Sequence, residues 1–124
     1  MSEKRENIIA IKSYAFALKI IKLYKSVINE KKEYVLSKQL LRSGTSIGAL
    51  VSEAEHAQSK KDFINKMNIA LKEANESIYW LKLLKDSELI SDLDFESIYL
   101  DNEEILRLLI SIVKTTKISL NFLF

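Results

Sequence analysis

The chain's one histidine sits in Glu53-Ala-Glu-His56, where Glu53 and His56 are three residues apart and share a helical face. On a helix, Glu-x-x-His is half of a di-iron carboxylate site; the other half is a second Glu-x-x-His plus two more carboxylates from facing helices. No second histidine exists, so one chain cannot complete such a site, and His56 is expected at the surface near a helix end. The absence of cysteine removes disulfides, thiolate metal ligands and a thiol nucleophile. No Ser and Asp partners for His56 emerge from the spacing. The expectation is a non-enzymatic protein with no catalytic residues, no cofactor and no metal.

Arg42-Ser-Gly-Thr-Ser-Ile-Gly48 holds both glycines of a chain that has no proline. As a phosphate cradle it lacks the Gly-x-x-x-x-Gly-Lys and Gly-x-Gly-x-x-Gly spacings, and no strand precedes it. Ser-Gly is a turn signal, and a mid-helix glycine costs about 1 kcal/mol relative to alanine, so a kink is one reading. The apolar phase favours another. Leu36, Leu40, Ile47, Val51 and Ala54 stay on one side if the helix is unbroken, leaving Gly44, Gly48 and Ser52 as a row of small residues beside that face. Such a row lets two helix backbones approach closely.

Those residues need elements to position them, and with two glycines the elements must be long. Helical periodicity predicts helices over about 7–30, 35–57, 60–85 and 92–119, joined by short connections. Ser59 with Asp62, and Ser91 with Asp94, read as helix caps. The fold class is therefore all-α, an antiparallel up-down-up-down four-helix bundle forming one domain over 1–124. The apolar arc of the first helix spans roughly 240°, more than the 100° or so that one core requires. Phe16, Ile20 and Leu23 lie on it, as do Tyr14, Ile11, Leu18 and Ile21. In the third helix, Phe63, Met67, Ala70, Leu71, Ala74, Ile78 and Leu81 form the expected core side, with Ile69 and Trp80 opposite. Phe16, Ile20, Leu23, Gly44, Gly48, Ile69 and Trp80 are the candidates for helix packing or an oligomer interface. Gln58, Asn65, Asn68 and Asn75 are either interhelical hydrogen-bonding residues or solvated ones.

The net charge of +2 conceals segments of +6 (residues 1–42), +1 (43–85), −8 (86–105) and +3 (106–124). Lys12, Lys19 and Lys22 occupy the polar arc of the first helix, and bundle topology gathers Lys60, Lys61, Lys114 and Lys117 at one end with Lys4 and Arg5. Lys12, Lys19, Lys22, Lys60, Lys61, Lys114 and Lys117 are the candidate surface for RNA, DNA or a nucleic-acid enzyme. The same charges also serve as solvated, dipole-compatible helix faces. No signal-peptide run opens the chain, and the stretch from Ile105 to Val113 is interrupted by Arg107 and too short for a bilayer. A cytoplasmic protein without a membrane partner is expected.

Taken in order, Ser13-Tyr-Ala-Phe-Ala, Leu36-Ser-Lys-Gln-Leu-Leu-Arg-Ser-Gly-Thr-Ser-Ile-Gly-Ala, Ser59-Lys-Lys-Asp-Phe, Ala70-Leu-Lys-Glu-Ala, Tyr79-Trp-Leu and Ile112-Val-Lys-Thr-Thr-Lys117 resemble one bacterial family. Its founding members are encoded in intervening sequences of 23S ribosomal RNA genes, and it is sometimes labelled S23 ribosomal protein. The resemblance covers nearly the whole chain. It implies a homopentamer of four-helix bundles around a central channel, and a distant kinship with basic accessory proteins of diversity-generating retroelements. It brings no catalytic residues. The family usually has Asn where Leu50 stands, so a polar role at that turn does not carry over, whereas the packing role does.

Overall fold

A computed structural model describes residues 2–122 of the chain, so Met1 and the last two residues of the expected 1–124 domain lie outside the described residues. Four helices account for the architecture: α1 (Ser2–Glu30), α2 (Leu36–Ala54), α3 (Lys60–Asp86) and α4 (Asp92–Phe122). Each pairs with its sequence neighbour, and α4 closes the ring on α1. Contact pairs set the direction of every helix. Arg5 reaches Thr115 while Lys19 reaches Asp101, so α4 descends as α1 rises. Arg42 with Glu76 and Glu53 with Lys66 do the same for α2 and α3, and Lys60 with Ser119 and Lys85 over Phe95 for α3 and α4.

Two helix ends differ from the periodicity by several residues. α1 begins at Ser2 instead of residue 7, because Arg5 donates to Ser111 and Thr115 of α4 and so holds a first turn that has no apolar stripe. α4 continues past 119, since neither glycine nor proline follows to stop it. A third, α2, stops at Ala54 before the expected 57: His56 and Ala57 bond the carbonyls three residues back, tightening the chain into a turn. The expected caps do form, with Ser59 accepting from the Asp62 amide and Ser91 from the Asp94 amide. α3 ends in a Schellman arrangement, Leu89 bonding back to Leu84 and Glu88 to Lys85, with Glu88 at φ 62° where glycine is the usual choice.

The start of α2 is capped from three residues upstream. Both Glu33 carboxylate oxygens accept backbone amides, those of Val35, Leu36 and Ser37, at 2.8–2.9 Å, while the Ser37 hydroxyl donates back to the Glu33 carbonyl. Partial burial alone would raise the Glu33 pKa; the amides of Leu36, Ser37 and Val35 outweigh it and hold the carboxyl below its ordinary range. A carboxyl depressed on folding contributes stability above its unfolded pKa and loses it as pH falls through the folded value. Glu33→Gln is therefore expected to cost about 1 kcal/mol at neutral pH, with the gap to the unsubstituted protein closing below about pH 4. Urea unfolding at pH 7 and pH 3 measures both.

The core is one continuous cluster. α1 contributes Ile9, Phe16, Ile20, Leu23 and Val27, and α2 contributes Leu40, Ile47, Val51 and Ala54. On α3 the buried line is Ile64, Met67, Ala70, Ala74, Ser77, Leu81 and Leu84; it keeps Met67, Ala70, Ala74 and Leu81 of the expected stripe, while Phe63, Leu71 and Ile78 stand half-buried along one edge, a rotation of about 20°. The glycines sit inside an unbroken α2 and face α1. A Cβ at Gly44 would come within 2.9 Å of Ile20 Cγ1, and one at Gly48 within 3.4 Å of the Ser13 carbonyl oxygen.

Candidate interaction surface

Phe16, Ile20 and Leu23 are at most 6% exposed, so they pack within the bundle and present nothing to a second molecule. Trp80 likewise packs against the core, with its indole N–H donated to Glu76 Oε2 at 3.1 Å. Glu76 is also held by Arg42, whose other nitrogen reaches Glu73 at 3.2 Å, so this part of the outer α3 face is a polar clamp onto α2. Ile69 remains partly exposed, and Tyr79 lies edge-on to Trp80 with more than half its surface open.

The second apolar face of α1 is elsewhere. Ile11, Tyr14 and Leu18 are 70%, 69% and 54% exposed, one turn apart along the helix. Ile11 and Tyr14 line a trough of about 680 Å³ between α1 and α2, floored by Ala10, Ala17, Gly48, Ala49 and Ser52, with Glu55 its one acidic wall residue; Leu18 follows one turn after Tyr14. The local sequence dictates that shape: small residues on α2 sit beside large ones on α1, and the close Gly48–Ser13 approach keeps the floor low. The outer face of α4 adds scattered exposed apolar residues, Leu93, Leu100, Ile110 and Ile118.

The lysine candidates divide into two groups. Lys12 pairs with Glu104 at 3.0 Å and Lys19 with Asp101 at 2.5 Å, while Lys22 is exposed beside a small cleft that also contains Asp94. The +6 segment thus lies against the −8 segment, and much of its charge is answered within the chain. Each such half-exposed pair contributes about 0.2–1 kcal/mol. Lys60, Lys61, Lys114 and Lys117 are all exposed at the opposite end, where Lys60 Nζ donates to Ser119 at 2.9 Å. A cavity of about 610 Å³ opens there between helix ends, lined by Glu6, Glu55 and Lys60 over Val51, Phe63 and Met67. This end mixes charges, with Glu55 exposed as the four lysines are.

His56 is exposed beyond the end of α2, and among the described residues no group of three or more His, Asp or Glu is placed to hold a metal ion. Gln58, Asn65 and Asn75 are exposed and Asn68 is half-buried. The buried amide is Asn102, which sits in the regular 3-4 ladder Phe95, Ile98, Asn102, Ile105, Leu109, Ile112. That spacing is visible in the sequence and marks Asn102 as a core position.

These features define an all-α antiparallel bundle with an apolar trough on one side and exposed lysines at one end. The chain belongs to the 23S rRNA-intervening sequence protein family, whose model matches residues 5–111. It is similar to a crystal structure of a protein of unknown function from the S23 ribosomal protein family of Bacteroides thetaiotaomicron. The two share 59% identity over 89% of this chain and 98% of that one, with a TM-score of 0.87. Comparison with curated proteins gives no match. No helix among the described residues is long and apolar enough to cross a membrane.

Proposed function

We propose that the protein is a non-enzymatic, self-associating scaffold that docks RNA, or a protein that processes nucleic acid, at the end bearing Lys60, Lys61, Lys114 and Lys117. The carrying observation is the exposed Ile11, Tyr14 and Leu18 beside the trough, an apolar surface that a lone protomer leaves in water. Self-association covers it, and a homopentamer is the form that the family resemblance implies. Association also repeats the lysine end around the assembly, turning four cations into a multivalent surface. The pairing of Lys12 and Lys19 with α4 shifts the nucleic-acid face away from α1.

Counterion release makes the test quantitative. Four phosphate contacts per protomer on single-stranded RNA give a slope of about −3 in log affinity against log salt. Replacing Lys60, Lys61, Lys114 and Lys117 by Glu is expected to abolish that binding, whereas Lys12→Glu with Lys19→Glu leaves it in place. A salt-independent titration, or a quadruple variant that binds normally, refutes the docking assignment. The same intrachain ion pairs favour a second reading, a self-assembly module without nucleic acid. It predicts normal assembly and no RNA binding even at low salt.

A further inference from the structure

Asn102 is fully buried, yet neither its amide nitrogen nor its amide oxygen has a hydrogen-bond partner among the described residues. Every other position of its ladder is aliphatic or aromatic, so packing alone gives no reason for an amide there. Register supplies one. Between the contacts of Lys60 with Ser119 and Lys85 with Phe95, α3 and α4 run antiparallel residue for residue, which brings Ser77 level with Asn102. Ser77 is itself fully buried, and its hydroxyl oxygen lies 3.0 Å from that of Ser43 on α2, also fully buried. Polar side chains from three helices therefore share one cross-section of an otherwise apolar core.

The two hydroxyls are incompletely used. Each carries one proton, and Ser77 Oγ lies 2.9 Å from the Glu73 carbonyl as well as near Ser43, so donation to one leaves lone pairs free for a further donor. The other two buried serines lie outside this grouping: Ser13 faces α2 at Gly48 and donates to the Ala10 carbonyl, and Ser37 donates to the Glu33 carbonyl at the start of α2. An amide with both a donor and an acceptor unpaired, level with hydroxyls that have spare acceptor capacity, matches what a buried water needs: two to four polar partners in a site closed to solvent. We propose that Asn102, Ser43 and Ser77 form a polar layer enclosing one ordered water, which accepts from the Asn102 amide and donates to a serine hydroxyl. The layer fixes helix register, because sliding α4 by one turn against α3 would leave the amide against aliphatic side chains with its water lost.

A double-mutant cycle on the full chain tests this. Ser77→Ala is expected to lower the folding equilibrium constant about tenfold more in the native background than in an Asn102→Leu background, since both substitutions empty the same network. Equal effects within twofold would overturn the proposal. A second readout does not depend on the variants folding. In the unsubstituted protein, NMR should show cross-relaxation between the Asn102 side-chain amide protons and a long-lived water, with those protons protected from exchange. An amide that exchanges freely, or a crystal structure in which Asn102 bonds a backbone carbonyl directly, would also overturn it.

Discussion

Alanine at the two glycines is expected to move stability in opposite directions. At Gly48 an added Cβ reaches only ordinary contact with the Ser13 backbone, so Gly48→Ala should gain the helix-propensity difference, about 1 kcal/mol. At Gly44 the same atom would sit 2.9 Å and 3.0 Å from Ile20 Cγ1 and Cγ2, the branch atoms of a stiff, fully buried side chain. Overpacking of that kind costs about 1–3 kcal/mol, which outweighs the propensity gain and leaves Gly44→Ala destabilised. Gly44→Leu with Gly48→Leu should lose at least about 3 kcal/mol, a large share of the stability of a small domain. Thermal and urea denaturation of the three variants decide the matter. A tolerated double leucine would mean that α1 and α2 can separate here at little cost.

Ile11→Glu combined with Leu18→Glu should turn the proposed assembly into monomers while leaving each bundle folded. Both side chains are more than half exposed in the protomer, so replacing them changes folding stability by no more than about 0.5 kcal/mol. If self-association covers this face, each substitution forces a carboxylate into an apolar contact, and association should weaken at least about 100-fold, roughly 2.7 kcal/mol. Sedimentation or light scattering at micromolar concentration reads the change. A variant with unchanged mass would exclude this trough from the contact between copies. Because none of the lysines at 60, 61, 114 and 117 lines the trough, the same variant separates assembly from docking: monomers that still bind RNA, but more weakly, would show that multivalency matters.

The fold was legible because apolar phase survives along long helices that only two glycines and no prolines punctuate. Leu36, Leu40, Ile47, Val51 and Ala54 carried the phase through the glycine stretch, and the structure keeps α2 continuous there. Phase locates a stripe more securely than its end. The limits of α1, α2 and α4 depend on Arg5 gripping α4, on two tightened hydrogen bonds and on the lack of a stop signal, none of which is periodic. The width of the α1 apolar arc was also legible, but not its division: Phe16, Ile20 and Leu23 turn inward and Ile11, Tyr14 and Leu18 outward. Charge counting is incomplete for a related reason. A segment sum has no knowledge of neighbours, and α4 brings Asp101 and Glu104 directly onto the lysines of α1. Glu33 carries no cap signature in the sequence because it caps from outside the helix that it serves.

The ring of contacts has a kinetic consequence. Three of the four helix pairs join sequence neighbours, so two-helix hairpins can form early with little loop-closure cost. Only α4 on α1 requires the ends of the chain to meet. Topologies dominated by local pairings fold within microseconds to milliseconds, and the α1–α4 seam, with Lys12, Lys19 and Arg5 as its links, is the natural last step of that sequence. Until it closes, the apolar side of α1 has no cover from α4, so the interval before closure is when newly made chains are most prone to pair wrongly with one another.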